Sequence, residues 1–235
     1  MRMRDVALLF CTALILGGCA NGASSRLSSL LSASIQTESA PASGSRGTLY
    51  LGIVDALIKQ GRQSAALAFL DGYSQSGEAL SPRYWLLRGN ALLGLGRNSE
   101  AAIAFAKLED TPLAAHGWNG RGRIAAAGHD WATADQDFRN AVVGDPVNAD
   151  FLNNLAFADM HLNRVDSAAT WLQQAHELDP GSDRILTNLI IALRIKGDDG
   201  RADSIISGIK DGDHREALRA LVRSAVATLN AEGKS

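Results

Sequence analysis

The chain repeats itself. Pro146 and Pro180, Leu152 and Leu186, and Ala168 and Ala202 each stand 34 residues apart, and Trp85 and Trp118 stand 33 apart. A fixed period of roughly 20–50 residues marks a stacked array. Each repeat is one supersecondary unit that cannot bury its apolar face alone, so neighbours bury it for one another. The 235 residues hold only five prolines and few β-branched runs, and alanine and leucine are abundant. That balance favours helix over strand.

The repeats carry a recurrent pattern. Trp85-Leu-Leu-Arg88-Gly89 leads to Ala101-x3-Phe105, and Trp118-Asn-Gly-Arg121-Gly122 leads to Ala134-x3-Phe138 and Pro146. Leu152-Asn-Asn-Leu155-Ala156 leads to Ala168-x3-Leu172 and Pro180, and Leu186-Thr-Asn-Leu189-Ile190 leads to Ala202-x3-Ile206. This order resembles the tetratricopeptide repeat (TPR), in which two antiparallel helices pack closely. Small residues in the first helix (Gly89, Gly122, Ala156) and the second (Ala101, Ala134, Ala168) let the pair approach. Large ones (Phe105, Phe138, Leu172) fill the space beside them. Proline lacks an N–H and clashes with the preceding turn, so Pro146 and Pro180 end second helices.

The resemblance implies an all-α TPR solenoid of four to five helix-turn-helix repeats over residues 48–212. A degenerate first repeat spans about residues 48–81, with Gly61 in its turn. Residues 213–235 form a C-terminal capping helix and tail, with Ala217, Leu218, Leu221, Val222, Ala225 and Leu229 on one apolar face. Arg88, Arg121 and Asp159 depart from the pattern, which places leucine or an aromatic there. A shifted register or a polar contact within the helix pair accounts for them.

The N-terminus is of another kind. Arg2 and Arg4 precede an apolar run over residues 6–16, too short for a membrane span. Leu16-Gly17-Gly18-Cys19 follows and resembles the lipobox of bacterial lipoproteins. That resemblance implies a signal peptide at residues 1–18, removed to leave Cys19 as a lipidated N-terminus. With Ala20 and then Asn21 after the cysteine, and so no aspartate at the second position, it also implies an outer-membrane, periplasm-facing location. Residues 19–47, rich in Ser, Ala and Gly, read as a flexible tether.

A lipobox, a Ser/Ala tether and a short TPR array together resemble the TadD-type lipoprotein of tight-adherence (Flp) pilus assembly. The stretch over residues 149–206 is the nearest, with Asn153-Asn154-Leu155-Ala156 leading to Ala168, and Arg184-x3-Asn188-Leu189 leading to Gly197 and Ala202. The resemblance implies a pilotin-like assembly factor for an outer-membrane secretin, working by protein–protein binding. The alternative is a general periplasmic adaptor that recruits cell-wall enzymes.

In a TPR array the first helices line a concave groove. Counting positions 2, 5, 6, 9, 12 and 13 from Ala115, Ala149 and Asp183 places His116, Asn119 and Arg123 there. The same count adds Asn153, Asn154, Phe157 and Met160, then Thr187, Asn188, Ile191 and Arg194. An amide offers a donor and an acceptor to an extended peptide backbone. Arg123 and Arg194 suit a carboxylate, and Phe157, Met160 and Ile191 an apolar seat. The other reading of the asparagines is that they bridge neighbouring helices. The expected partner is a protein, an outer-membrane secretin or its extended tail.

Catalytic chemistry has no foothold in the pattern. His116, His129, His161, His176 and His214 form no H-x3-H pair, and no cysteine follows Cys19. Gly72 to Gly77 misses the nucleophile-elbow spacing, and residues 117–122 have glycines in the wrong order for a dinucleotide loop. The net charge of -2 offers no basic stripe for nucleic acid. No enzyme activity, cofactor, metal or small-molecule substrate is expected.

Overall fold

The computed structural model describes residues 43–232. The expected signal peptide, Cys19 and all of the tether before Ser43 lie outside the described residues. Among these residues there are eleven helices and no strand. They form five successive pairs: α1 (Ser43–Lys59) with α2 (Gln63–Gln75), α3 (Pro82–Gly94) with α4 (Asn98–Ala106), α5 (Ala114–Ala127) with α6 (Trp131–Gly144), α7 (Ala149–His161) with α8 (Val165–Leu178), and α9 (Asp183–Lys196) with α10 (Asp199–Gly208). A final helix, α11 (Gly212–Glu232), follows. Each helix from α3 to α10 touches the next in sequence. The first helices also touch across repeats, α3 with α5, α5 with α7 and α7 with α9. The solenoid expected from the period is therefore present.

One boundary needs correction. The tether reading ran to residue 47, yet α1 begins at Ser43. Gly47 is buried against Tyr73, whose hydroxyl would lie 2.8 Å from a Cβ at that position. Composition marked Ser and Gly as linker residues, but tertiary packing overrides that weak local preference.

The helix ends recur with the same period. Ser81, Asn148 and Ser182 cap α3, α7 and α9, their side chains accepting from the N–H groups of Tyr84, Phe151 and Ile185. Inside each pair the turn passes through one left-handed residue: Gly61, Gly96, His129, Asn163 and Gly197. The N–H of the following residue, at 62, 97, 130, 164 and 198, donates to the carbonyl five residues back at 2.8–3.0 Å. This is the Schellman closure of the first helix. Two of the five turns use a non-glycine residue, which the sequence pattern did not single out.

Packing follows the small–large rule. Ala101, Ala134, Ala168 and Ala202 are all fully buried, as is Ala156. Phe105 lies between two helices at once. A Cβ on Gly89 of α3 or on Gly120 of α5 would each come within 2.5 Å of its ring. Gly122 meets Phe138 in the same way at 2.6 Å. Trp171 on α8 packs against the apolar clusters of three neighbouring layers and ties the later repeats together.

The three departures from the pattern are polar contacts between helices. Arg88 pairs with Asp71 of α2 at 2.6 Å. Arg121 approaches Asp137 of α6 at 3.8 Å, pairs with Glu109 of the loop after α4 at 3.1 Å, and lies 4.6 Å above the Trp118 ring of its own helix. Asp159 is fully buried and receives Arg164 at 2.7 Å and Arg139 of α6 at 3.3 Å. Burial pushes the Asp159 carboxyl above its ordinary range, against the opposing pull of the two arginines.

Candidate protein-binding face

The first helices place their side chains on one shared face. Amides run across it from repeat to repeat. The Asn154 amide donates to Asn119 at 2.8 Å, and Asn188 donates to Asn153 at 2.9 Å. Asn153 in turn donates to Asn154 at 3.4 Å. Arg123 donates to Asn90 of α3 at 3.2 Å, so residues 33–35 apart bridge every junction from α3 to α9. The asparagines expected to meet a ligand are thus engaged with one another. Asn153 is only 1% exposed and acts as a bridge, whereas Asn119, Asn154 and Asn188 keep accessible surface.

Arg194 also corrects an expectation. Its fork holds Asp199 at 2.7 Å and Asp203 at 2.5 Å, both on α10, so its charge is spent inside the last helix pair. Arg123 differs. Among the described residues no carboxylate pairs with it, and its one acceptor is the neutral Asn90 amide. Its side chain is exposed, yet the protein atoms around it hold the guanidinium below the ordinary value, Arg184 adds to this, and Asp150 opposes it. Arg184 and Asp150 pair with each other on the same face, and Arg184 also donates to Asn154 at 3.3 Å. Both occupy position 2 of their repeats, where His116 also stands, so the positional rule held the signal for them. His116 itself is half-buried edge-on to Phe151, ring centres 5.1 Å apart. Burial holds its imidazole below the ordinary value, partly offset by Asp145.

The apolar part lies towards the ends of α7 and α9. Phe157 is 37% exposed, while Met160 and Ile191 are nearly covered at 5% and 6%. An aromatic cluster adjoins them. Trp131 stacks flat on His161 with centroids 3.7 Å apart, and Phe157 sits edge-on to both at 5.7 and 4.8 Å. Nothing in the 34-residue pattern pointed to Trp131, because it opens a second helix and reaches the face only through packing.

Two cavities open beside this region. One of about 450 Å³ is bounded by Arg184, Thr187 and Asn188 on α9 and by Leu218 and Leu221 on α11. The other, about 230 Å³, is bounded by Phe157, Met160 and Ile191 and by Ala225, Thr228 and Leu229. The face therefore joins a polar half with an incompletely neutralised arginine to an apolar half with unfilled space. It suits a protein segment. Among the described residues no three His, Cys, Asp or Glu side chains gather where they could hold a metal, and no helix is long and apolar enough to cross a membrane.

Comparison with known families agrees with the helix pairs. Residues 51–115 and 119–183, more than half of the chain, match the tetratricopeptide repeat model. The chain belongs to the tetratricopeptide repeat family. Solved TPR-like structures share its fold. A thermophilic TPR protein of Thermus thermophilus is 19% identical with a TM-score of 0.63, over 77% of this chain and 98% of that one. MamA of Desulfovibrio magneticus RS-1, from its residue 41 onward, is 21% identical with a TM-score of 0.53, over 75% of this chain and 95% of that one. At these identities the TPR fold is what is shared. No characterised protein matches the chain in sequence. A TPR array of this kind is suited to protein–protein interaction.

Proposed function

We propose that this TPR protein is a periplasm-facing lipoprotein, held in the outer membrane through Cys19, which assists assembly of the secretin of a Tad/Flp pilus system. It does so by binding a segment of the secretin, such as its tail, on the face of α3, α5, α7 and α9. The observation that carries the binding reading is Arg123. It is an exposed cation with no carboxylate partner among the described residues, flanked by amides and followed by Phe157 and the apolar half. A cation of that kind gains most when an acidic side chain or a terminal carboxylate arrives. The lipobox ending at Cys19, and the likeness of residues 149–206 to TadD-type lipoproteins, support the membrane and the secretin.

The test is deletion of the gene, then complementation with the wild-type chain, with Arg123→Glu or with Cys19→Ser. Heat-resistant secretin multimers in membrane fractions are read by immunoblot. The expected result is loss of multimers on deletion, recovery with the wild-type chain, and poor recovery with either variant. Multimers at normal abundance in the deletion strain overturn the secretin reading. Full recovery by Arg123→Glu overturns the role given to the face.

A further inference from the structure

The last helix does not merely end the stack. Beyond its contacts with α9 and α10, α11 reaches α7, the first helix of the preceding repeat. It thereby lies over the apolar half of the face, above Phe157, Met160 and Ile191.

Over residues 218–230 its attachment is apolar alone. Over residues 212–231 only Leu218 and Val222 are buried, and Leu221 on the expected apolar face is 56% exposed. The polar ties sit at its start. Arg215 donates to the Ile209 carbonyl at 2.8 Å, and Asp211 accepts from the N–H groups of Asp213 and His214. The ion pairs of its described side chains, Glu216 with Arg219 and Arg223, stay within the helix. From Leu218 to Asn230, among the described residues, no hydrogen bond or ion pair joins α11 to another helix. Apolar contact by Leu218, Val222, Ala225, Val226 and Leu229 alone holds that part. An open pocket of about 230 Å³ remains between Ala225 and the exposed Thr228 on one side and Phe157 and Met160 on the other.

We infer that α11 is an internal ligand of this face, displaced by an amphipathic helix of a partner. The partner helix carries apolar residues at the spacing of Leu218, Val222, Ala225 and Leu229, with larger ones at the two positions where α11 has Ala225 and Thr228. The inference rests on reading the face as partner-binding and names the chemistry of what binds its apolar half. A helix with leucine at those two positions fills space that α11 leaves empty, and so competes with it. The turn over 209–211 is the hinge.

The probe is a fluorescein-labelled peptide with the sequence of residues 212–232 carrying Ala225→Leu and Thr228→Leu. Its anisotropy is titrated with the full chain, and with a full chain carrying the same two substitutions in its own α11. Saturable binding is expected to the first, and at least about ten-fold weaker binding to the second, because the improved internal helix holds the face. Hydrogen exchange on the wild-type chain is the companion measurement, free of any question of mutant folding. Amides of α11 are expected to exchange at least about ten-fold faster than those of α9, and faster still with peptide present. No saturable binding, equal affinity for the two chains, or an α11 as protected as α9 overturns the inference. None of these results depends on a secretin, so the identity of the partner stands or falls separately.

Discussion

Gly120→Ala is the sharpest test of how the repeats fit together. In an ordinary helix interior this change stabilises by about 0.8–1.0 kcal/mol, since alanine is the better helix former. Here the new Cβ would lie 2.5–2.6 Å from three atoms of the Phe105 ring. Carbon atoms in contact prefer about 3.5–4.0 Å, so the ring must retreat by about 1 Å. It cannot retreat towards α3, because its other side already presses on Gly89 at 2.5 Å from where a Cβ would stand. Overpacking of a filled core costs about 1–3 kcal/mol. The net expectation is a destabilisation of up to about 2 kcal/mol, or a fall in Tm of up to roughly 8 °C for a chain of this size. Gly52→Ala on α1 is the matched control, because nothing lies within 4 Å of a Cβ there, and it should raise Tm. Thermal melts followed by circular dichroism compare the two. In a Phe105→Leu background the penalty at Gly120 should shrink, since the outer ring atoms are gone. If Gly120→Ala raises Tm as much as Gly52→Ala does, the close approach of α3, α4 and α5 does not govern this junction.

Two further outcomes follow from the same structure. The Asp159 carboxyl has a folded pKa above its ordinary 3.8, first through burial. Wherever the carboxyl is charged in the folded state, the folded chain bears the desolvation penalty. That penalty fades as pH falls through the raised folded value and is gone below 3.8. The wild-type chain should therefore gain stability relative to Asp159→Asn as the pH is lowered from 7 towards 3.8; a Tm gap independent of pH would contradict this. Gly197→Ala places a Cβ at φ +84 in the turn between α9 and α10, where an L-residue costs about 1–2 kcal/mol. Denaturant melts should show a loss of that size, while an unchanged midpoint would mean that the turn is not held in the left-handed form.

By itself the sequence determined the architecture. The 34-residue recurrence of Leu152 and Leu186 and of Ala168 and Ala202 states which residues are core, and Gly89 and Gly122 state where helices touch. Such information is local, because a helix face and a turn are set by residues within a few positions of one another. The face was legible only in part. Position counting reached Asn119, Arg123 and Phe157, passed over Arg184 and Asp150, and left open whether the asparagines serve a ligand or one another. Only the tertiary structure decided that Asn153 bridges to Asn188, that Arg194 turns towards α10, and that α11 lies over Phe157 and Met160. The reason is geometric. Those contacts join residues many positions apart, and the offset between stacked helices, which no single repeat specifies, sets which side chains meet.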